Sequence, residues 1–319
     1  MDWSGKRVLV TGGAGFIGSH LVDCLAARGA QITVFDDFST GFREYVSTRD
    51  RVSVIEGDLL DAARILGAMH GVDFVFHLAA NADIKDNLLA PRKCIEQNVL
   101  VTQNVLESMR AAGVRDIAFA STGSVYGETA VIPTPEDAPF PVQTSIYATS
   151  KVAAEGLLTS YAVGFDLRTW IFRLVSVLGP RYTHGHVIDF WRKLKRDATQ
   201  LEVLGDGRQR KSYLHVADCV SAMLAAVEGA RASINVFNLG HTEWMEVGDS
   251  IGLIAREMGV SPRLHFTGGQ RGWPGDSPRI LLDTGRIRAL GWAPARTIEE
   301  SILETLRFLS STPFTERRA

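Results

Sequence analysis

The run Val8-Leu-Val-Thr-Gly-Gly-Ala-Gly-Phe-Ile-Gly-Ser-His20 constrains this chain more than any other. A short apolar strand, Arg7 to Val10, runs straight into Gly12, Gly15 and Gly18, and a helical pattern follows from Gly15 to Arg28, with Gly29 as its stop. Such a strand, glycine turn and helix places backbone N–H groups at a helix N-terminus, where a pyrophosphate binds, and the turn needs residues free of Cβ restriction. The G-x-x-G-x-x-G spacing is one residue wider at its first gap than the usual dinucleotide fingerprint. Asp36 follows Gly12 by 24 residues, at the end of a second strand, Gln31 to Phe35. A carboxylate there accepts from the adenosine ribose hydroxyls and repels a 2′-phosphate, which favours NAD over NADP. Asp58 closes a third strand, Val52 to Ile55, within reach of an adenine amino group.

The alternation continues with a helix at Leu60 to His70, a strand at Phe74 to His77 and a long helix at Arg92 to Ala112. Next come a strand at Ile117 to Ala120, a helix near Tyr147 to Val163 and a strand at Thr169 to Leu174. Strands alternating with helices imply a parallel sheet wrapped on both faces. The expected fold is α/β, a Rossmann-like doubly wound parallel sheet with a smaller mixed α/β lobe. Residues 1–175 plus 213–240 form the cofactor domain, and 176–212 plus 241–319 form the lobe. Gly127 to Gln143 carries four of the eleven prolines and reads as a surface loop near the ligand. Thr297, followed by Glu300 and an apolar stripe, opens the last helix with a capping box.

Composition narrows the class. Over 319 residues, 45% hydrophobic and 22% charged content is that of a globular enzyme, and a net charge of −2 gives no electrostatic reason to bind nucleic acid or an anionic membrane. Cys24, Cys94 and Cys219 show no C-x-x-C spacing, so a reducing, cytoplasmic setting is expected. No apolar stretch reaches membrane-spanning length. His184 and His186 with Asp189 lack a further ligand at secure spacing, and no metal is expected.

Chemistry enters with Tyr147-Ala-Thr-Ser-Lys151, which puts a phenol and an ammonium on one face of a helix. A neighbouring positive charge stabilises phenolate and suits the tyrosine to proton transfer. Thr122, just past the strand at Ile117 to Ala120, stands where ligands bind open α/β sheets, so its hydroxyl can meet a substrate hydroxyl beside Tyr147.

TGGAGFIGSH, Asp36, GDL at 57–59, HLAA at 77–80, ASTGSVYG at 120–127, YATSK and RQRKSYLHVAD together resemble the extended short-chain dehydrogenase/reductase family, in its nucleotide-sugar epimerase and dehydratase group, with the nearest likeness to the UDP-glucose 4-epimerases. The likeness spans nearly the whole chain and is most specific over residues 8–151. It implies that Tyr147 is the general base and acid, that Lys151 tunes it and holds the nicotinamide ribose, and that Thr122 is the hydroxyl partner. Gly12, Gly15, Phe16, Ile17, Gly18, Asp36, Asp37, Asp58, Leu59, Leu78, Ala79, Ala80, Asn98, Tyr147 and Lys151 would contact NAD. In the lobe, Arg210 matches the family's diphosphate arginine, Arg271 is a second candidate, and Asp276 is assigned to the nucleoside ribose. Ser124, Ser176 and Arg181 are candidates for the sugar.

Members of the group share a first step: the base takes a sugar hydroxyl proton while hydride passes to NAD⁺, giving a 4-keto sugar. Dehydratases then use an Asp-Glu pair after the threonine. Here Gly123 and Ser124 stand there, and neither is an acid–base carboxylate. Return of hydride to the opposite face needs no such group, so the resemblance implies a nucleotide-sugar 4-epimerase with tightly held NAD, acting on UDP-hexoses of the glucose/galactose type. UDP-glucuronate or another nucleotide sugar, net reduction of a keto sugar, and a non-catalytic NAD-binding regulator are the alternatives. A homodimer through the helices Arg92 to Ala112 and Tyr147 to Val163 is also implied.

Overall fold

The computed structural model describes residues 1–46, 50–82, 89–140, 142–273 and 276–312. Seven parallel strands form its central sheet: β1 (Arg7–Thr11), β2 (Gln31–Asp36), β3 (Val52–Glu56), β4 (Phe74–His77), β5 (Asp116–Thr122), β6 (Arg168–Leu174) and β7 (Ile234–Leu239). Their order is β7-β6-β5-β4-β1-β2-β3. The chain therefore reverses direction across the sheet between β1 and β4, and the crevice at their carboxyl ends is where such sheets bind ligands. Thr11 lies beside His77 in that pair, and Thr122 beside Leu174 in the pair of β5 with β6.

Helices cover both faces because the strands are apolar on both sides. Helix α1 (Phe16–Ala27) and the helix Val216–Gly229 bury Leu21, Val22, Val220 and Met223 on one face. On the other, α2 (Ala62–Ala68), α3 (Val101–Ala112) and α4 (Ile146–Phe165) bury Ile65, Val105, Leu106 and Leu158. Asp61 caps α2, accepting from Arg64 N at 3.0 Å, so this helix starts two residues later than its apolar pattern suggests. The helix expected over 92–112 divides into Pro91–Ile95, a π-helical turn, Glu96–Leu100, with Asn98 buried in it, and α3.

A third core joins Leu178, Val187, Trp191, Leu201, Tyr213, Ile254, Ile302 and Leu306, from residues 178–213 and 247–309. Leu282, Ile287 and Trp292 pack instead with the sheet-side core, so part of the 241–319 stretch sits on the sheet layer. The proline-rich segment after Gly127 is not a surface loop throughout. Thr134 pairs with Leu282, and Thr134 and Glu136 are 3% and 8% exposed. Pro141 of this segment, and Pro274 and Gly275 of the lobe, lie outside the described residues. The capping box at Thr297 forms as expected, its hydroxyl accepting from Glu300 N at 3.1 Å. Among the described residues no helix is long and apolar enough to cross a membrane.

Candidate active site

The glycine turn is built by contact as much as by conformation. Gly12 has φ +68°, and a Cβ there would lie 2.6 Å from Ala79 N on the loop that leaves β4. A Cβ at Gly18 would lie 2.1 Å from Gly12 O, so glycine lets α1 close onto the turn. Gly15 precedes α1 in extended conformation, and no side chain caps the helix. Its first N–H groups, at Phe16 and Ile17, are thus disposed for a phosphate. Asp36 is 7% exposed and accepts from Ala14 N and Phe38 N, both at 2.9 Å. Burial raises its pKa and these amides oppose the rise. Further lone pairs of the carboxylate remain for a ribose. Asp37 is exposed and holds Ser39, while Asp58 is exposed and accepts from Leu60 N at 2.9 Å. Leu59 is buried, and Leu78, Ala79 and Ala80 form the half-buried loop beyond β4.

Asn98 ties that loop to α4. It accepts from Asn81 N at 2.8 Å and donates to Asn81 O at 3.1 Å and to Ser150 Oγ at 2.9 Å. His77, at the end of β4, is fully buried between Thr11 Oγ1 at 2.7 Å and Thr102 Oγ1 at 3.1 Å. Burial, and then the Lys151 charge, lowers its pKa to about 3, so it is neutral in the fold. An unfolded chain binds that proton near pH 6.5, so the native state loses stability as pH falls from 6.5 toward 3. At pH 5 the loss from His77 is expected to be about 2 kcal/mol. Thermal unfolding compared at pH 7 and pH 5 checks it, and an unchanged Tm rules it out.

The three catalytic candidates converge. Thr122 ends β5, Tyr147 and Lys151 lie on the first turns of α4, and Tyr147 shares a hydrogen bond with the Thr122 side chain. Thr122 Oγ1 also accepts from Ser124 N at 3.1 Å and donates to Ser124 Oγ at 3.2 Å, which caps the 3₁₀ turn Gly123–Tyr126. Burial pushes the Tyr147 phenol up to about 12, against the pull of the Thr122 bond. Lys151 is 2% exposed, donates to Ala120 O at 2.8 Å and lies 4.5 Å from the Phe119 ring centroid. Burial brings its ammonium down to about 8.

The lobe residues are more dispersed. Ser176 is exposed on a short strand, Ser176–Leu178. Arg210 is half-exposed, donates to Glu246 at 2.9 Å and stacks on Trp244 at 5.3 Å. The residue the sequence reading missed is Lys211, which follows Arg210 in the two-residue strand Arg210–Lys211 and lies on its opposite face. Its ammonium is largely buried and donates to Asp276 Oδ1 at 2.6 Å. Asp276 is 4% exposed and also accepts from Gly272 N at 3.0 Å. Alternation in a two-residue strand was too short a signal to show which of 210 and 211 turns inward. Arg271 pairs with Glu128, bridging the lobe to the loop after Tyr126.

Arg181 does not take the sugar-facing place expected of it. Its guanidinium pairs with Asp23 of α1 at 2.9 Å and lies over the Tyr45 ring at 5.2 Å, on a backbone with φ of +65°. His186 is hydrogen-bonded to Ser250 Oγ at 2.8 Å and stacked on Tyr213 at 4.8 Å. Among the described residues no group of three His, Cys, Asp or Glu side chains could hold a metal ion.

Comparison with known proteins agrees with this geometry. The NAD dependent epimerase/dehydratase family matches residues 8–240. The chain belongs to this family. A UDP-glucose 4-epimerase of Mycolicibacterium smegmatis is 34% identical over 95% of this chain and 98% of its own. Among solved structures, a UDP-galactose 4-epimerase is 39% identical with TM-score 0.86, covering 95% of this chain and 98% of that one. A Thermus thermophilus UDP-glucose 4-epimerase in complex with NAD is 32% identical with TM-score 0.86, covering 96% and 99%. The protein is an NAD-dependent enzyme, and the cradle from Gly12 to Gly18 with Asp36 fits that cofactor.

Proposed function

We propose that the protein interconverts the C4 epimers of a UDP-linked hexose, of the glucose/galactose type. The observation that carries this reading is the convergence of Thr122, Tyr147 and Lys151 at the end of β5, with no carboxylate at the two positions that follow. A side chain larger than hydrogen at Gly123 would meet Leu282 at 3.2 Å and Leu174 O at 3.3 Å, so this backbone also leaves little room there for the acid that elimination requires.

NAD, when bound, supplies a hydride acceptor that can give the hydride back. The side chains do the rest. Tyr147 takes the proton of the C4 hydroxyl and later returns it, and Thr122 shares that hydrogen bond and fixes the hydroxyl's direction. Lys151, one turn along the same face of α4, is placed to lend its positive charge to the phenolate as the proton moves. Ser124 and Ser176 line the sugar's side. Arg210 and Arg271, with half-exposed guanidinium groups, suit a diphosphate, and the Lys211–Asp276 pair ties the segment after Arg271 to the strand that carries Arg210. The sheet with residues 213–240 serves as the cofactor domain, and most of the third core serves as the sugar lobe.

Two copies would pair through α3, the π turn before it and α4, where Leu100, Val163 and Phe165 are exposed apolar residues. Free thiols at Cys24, Cys94 and Cys219 suit a cytoplasmic enzyme. The test of the reading is to incubate the purified protein, without added NAD, with UDP-, GDP- and CDP-linked hexoses and hexuronic acids, following C4 by proton NMR. Inversion of a UDP-hexose is expected. Inversion of none removes the reading's support.

A further inference from the structure

Lys151 and Glu155 stand one turn apart on α4 and reach the same side of it. That side faces the last residues of β5. Lys151 Nζ donates to Ala120 O at 2.8 Å, and Ser121 Oγ donates to Glu155 Oε1 at 2.5 Å. The next residue is Thr122. An ammonium and a carboxylate of one helix therefore tie down the two residues that lead into the catalytic threonine.

Glu155 is itself held. It is 5% exposed, and Arg173, which lies opposite Ser121 in the register of β5 with β6, gives it Nη2 at 2.7 Å and Nε at 3.2 Å. The other end of the guanidinium donates to Tyr126 Oη and Glu136 O, both at 2.8 Å. Tyr126 belongs to the turn that Thr122 caps and donates on to Asn238 at 2.8 Å. A buried ion pair adds little stability over an apolar pair of the same volume, because both charges lose their hydration. Stability alone thus gives no reason for an ion pair held to Ser121, next to Thr122, and one turn from Lys151.

We infer that Glu155, oriented by Arg173, is a positioning residue for the reaction: its carboxylate keeps the Lys151 ammonium charged beside Tyr147 and fixes the end of β5 that presents Thr122. This rests on the epimerase reading above. The titratable groups facing Lys151 are Glu155 from its own helix, Cys94 from the helix Pro91–Ile95, and His77 from β4. His77 is neutral, which leaves Glu155 as the carboxylate in this set. Burial lowers the proton affinity of Lys151, and Glu155 raises it again.

The test titrates lysines labelled with ¹³C at Cε by NMR in the NAD-bound protein, with Lys151→Arg assigning the resonance. In Glu155→Gln the Lys151 midpoint is expected to fall by about one unit or more. The alkaline limb of kcat should move down with it, with KM little changed. Because Glu155→Gln strands the Arg173 charge and can prevent folding, Glu155→Gln/Arg173→Met removes both charges together, and a fall in the same direction, reduced by the loss of the Arg173 cation, is expected there. A midpoint within about 0.3 unit of wild type in whichever variant folds overturns the inference. The titration needs no substrate, so its failure is distinct from failure of the epimerase reading, which appears as no turnover of any sugar by the wild-type protein.

Discussion

Replacing Tyr147 by Phe is expected to lower kcat about a thousandfold while leaving the NAD content of the purified protein unchanged. The substitution keeps the ring and removes one hydroxyl. In the fold that hydroxyl bonds the Thr122 side chain, and burial holds it protonated up to about 12. A phenol so placed has no stabilising role that needs its proton to move, so the loss is a loss of proton transfer. Turnover and NAD, the latter measured after denaturing the protein, decide the matter together. Activity within tenfold of wild type means that another group is the base. Loss of NAD together with activity means that Tyr147 serves the cofactor more than the sugar.

The second large effect is structural. Gly18→Ala places a methyl carbon 2.1 Å from Gly12 O and 2.8 Å from Gly13 Cα, both backbone atoms that cannot rotate away. Helix α1 must then shift off the glycine turn, which moves the N–H groups of Phe16 and Ile17 from a bound pyrophosphate. Overpacking of this kind costs about 1–3 kcal/mol, or more where backbone is involved. The variant should therefore unfold at a lower Tm and purify with little NAD. Gly67→Ala, where an added Cβ meets nothing within 4 Å, is the control and should keep both. Retention of NAD at the wild-type level by Gly18→Ala contradicts this account of the turn.

The cofactor half of the site was legible because its signals are local. The glycine spacing, the acid that ends β2 and the four-residue step from Tyr147 to Lys151 each sit within one element or one strand–turn–helix unit. The resemblance then placed Thr122, which the structure brings to the phenol. What stayed hidden depends on contacts distant in sequence. Arg173 lies on a strand, and its pairing appears only when β6 sets it opposite Ser121 and within reach of Glu155. The prolines after Gly127 suggested a surface loop, yet Thr134 and Glu136 are drawn inside by Leu282 and Asn238. Arg181 stood in the sequence as a candidate for the sugar, and its partner Asp23, 158 residues earlier, appears only in the fold. The π turn at Asn98 leaves no periodicity of its own to read.

The central claim is that one hydride leaves C4 and returns to the opposite face within a single enzyme molecule. UDP-glucose carrying deuterium at C4, incubated without added NAD, tests this most directly by proton NMR and mass spectrometry of the product. The expected result is inverted C4 that still carries deuterium, with none released to water. Absence of inversion, or inversion with loss of the label to solvent, would contradict it.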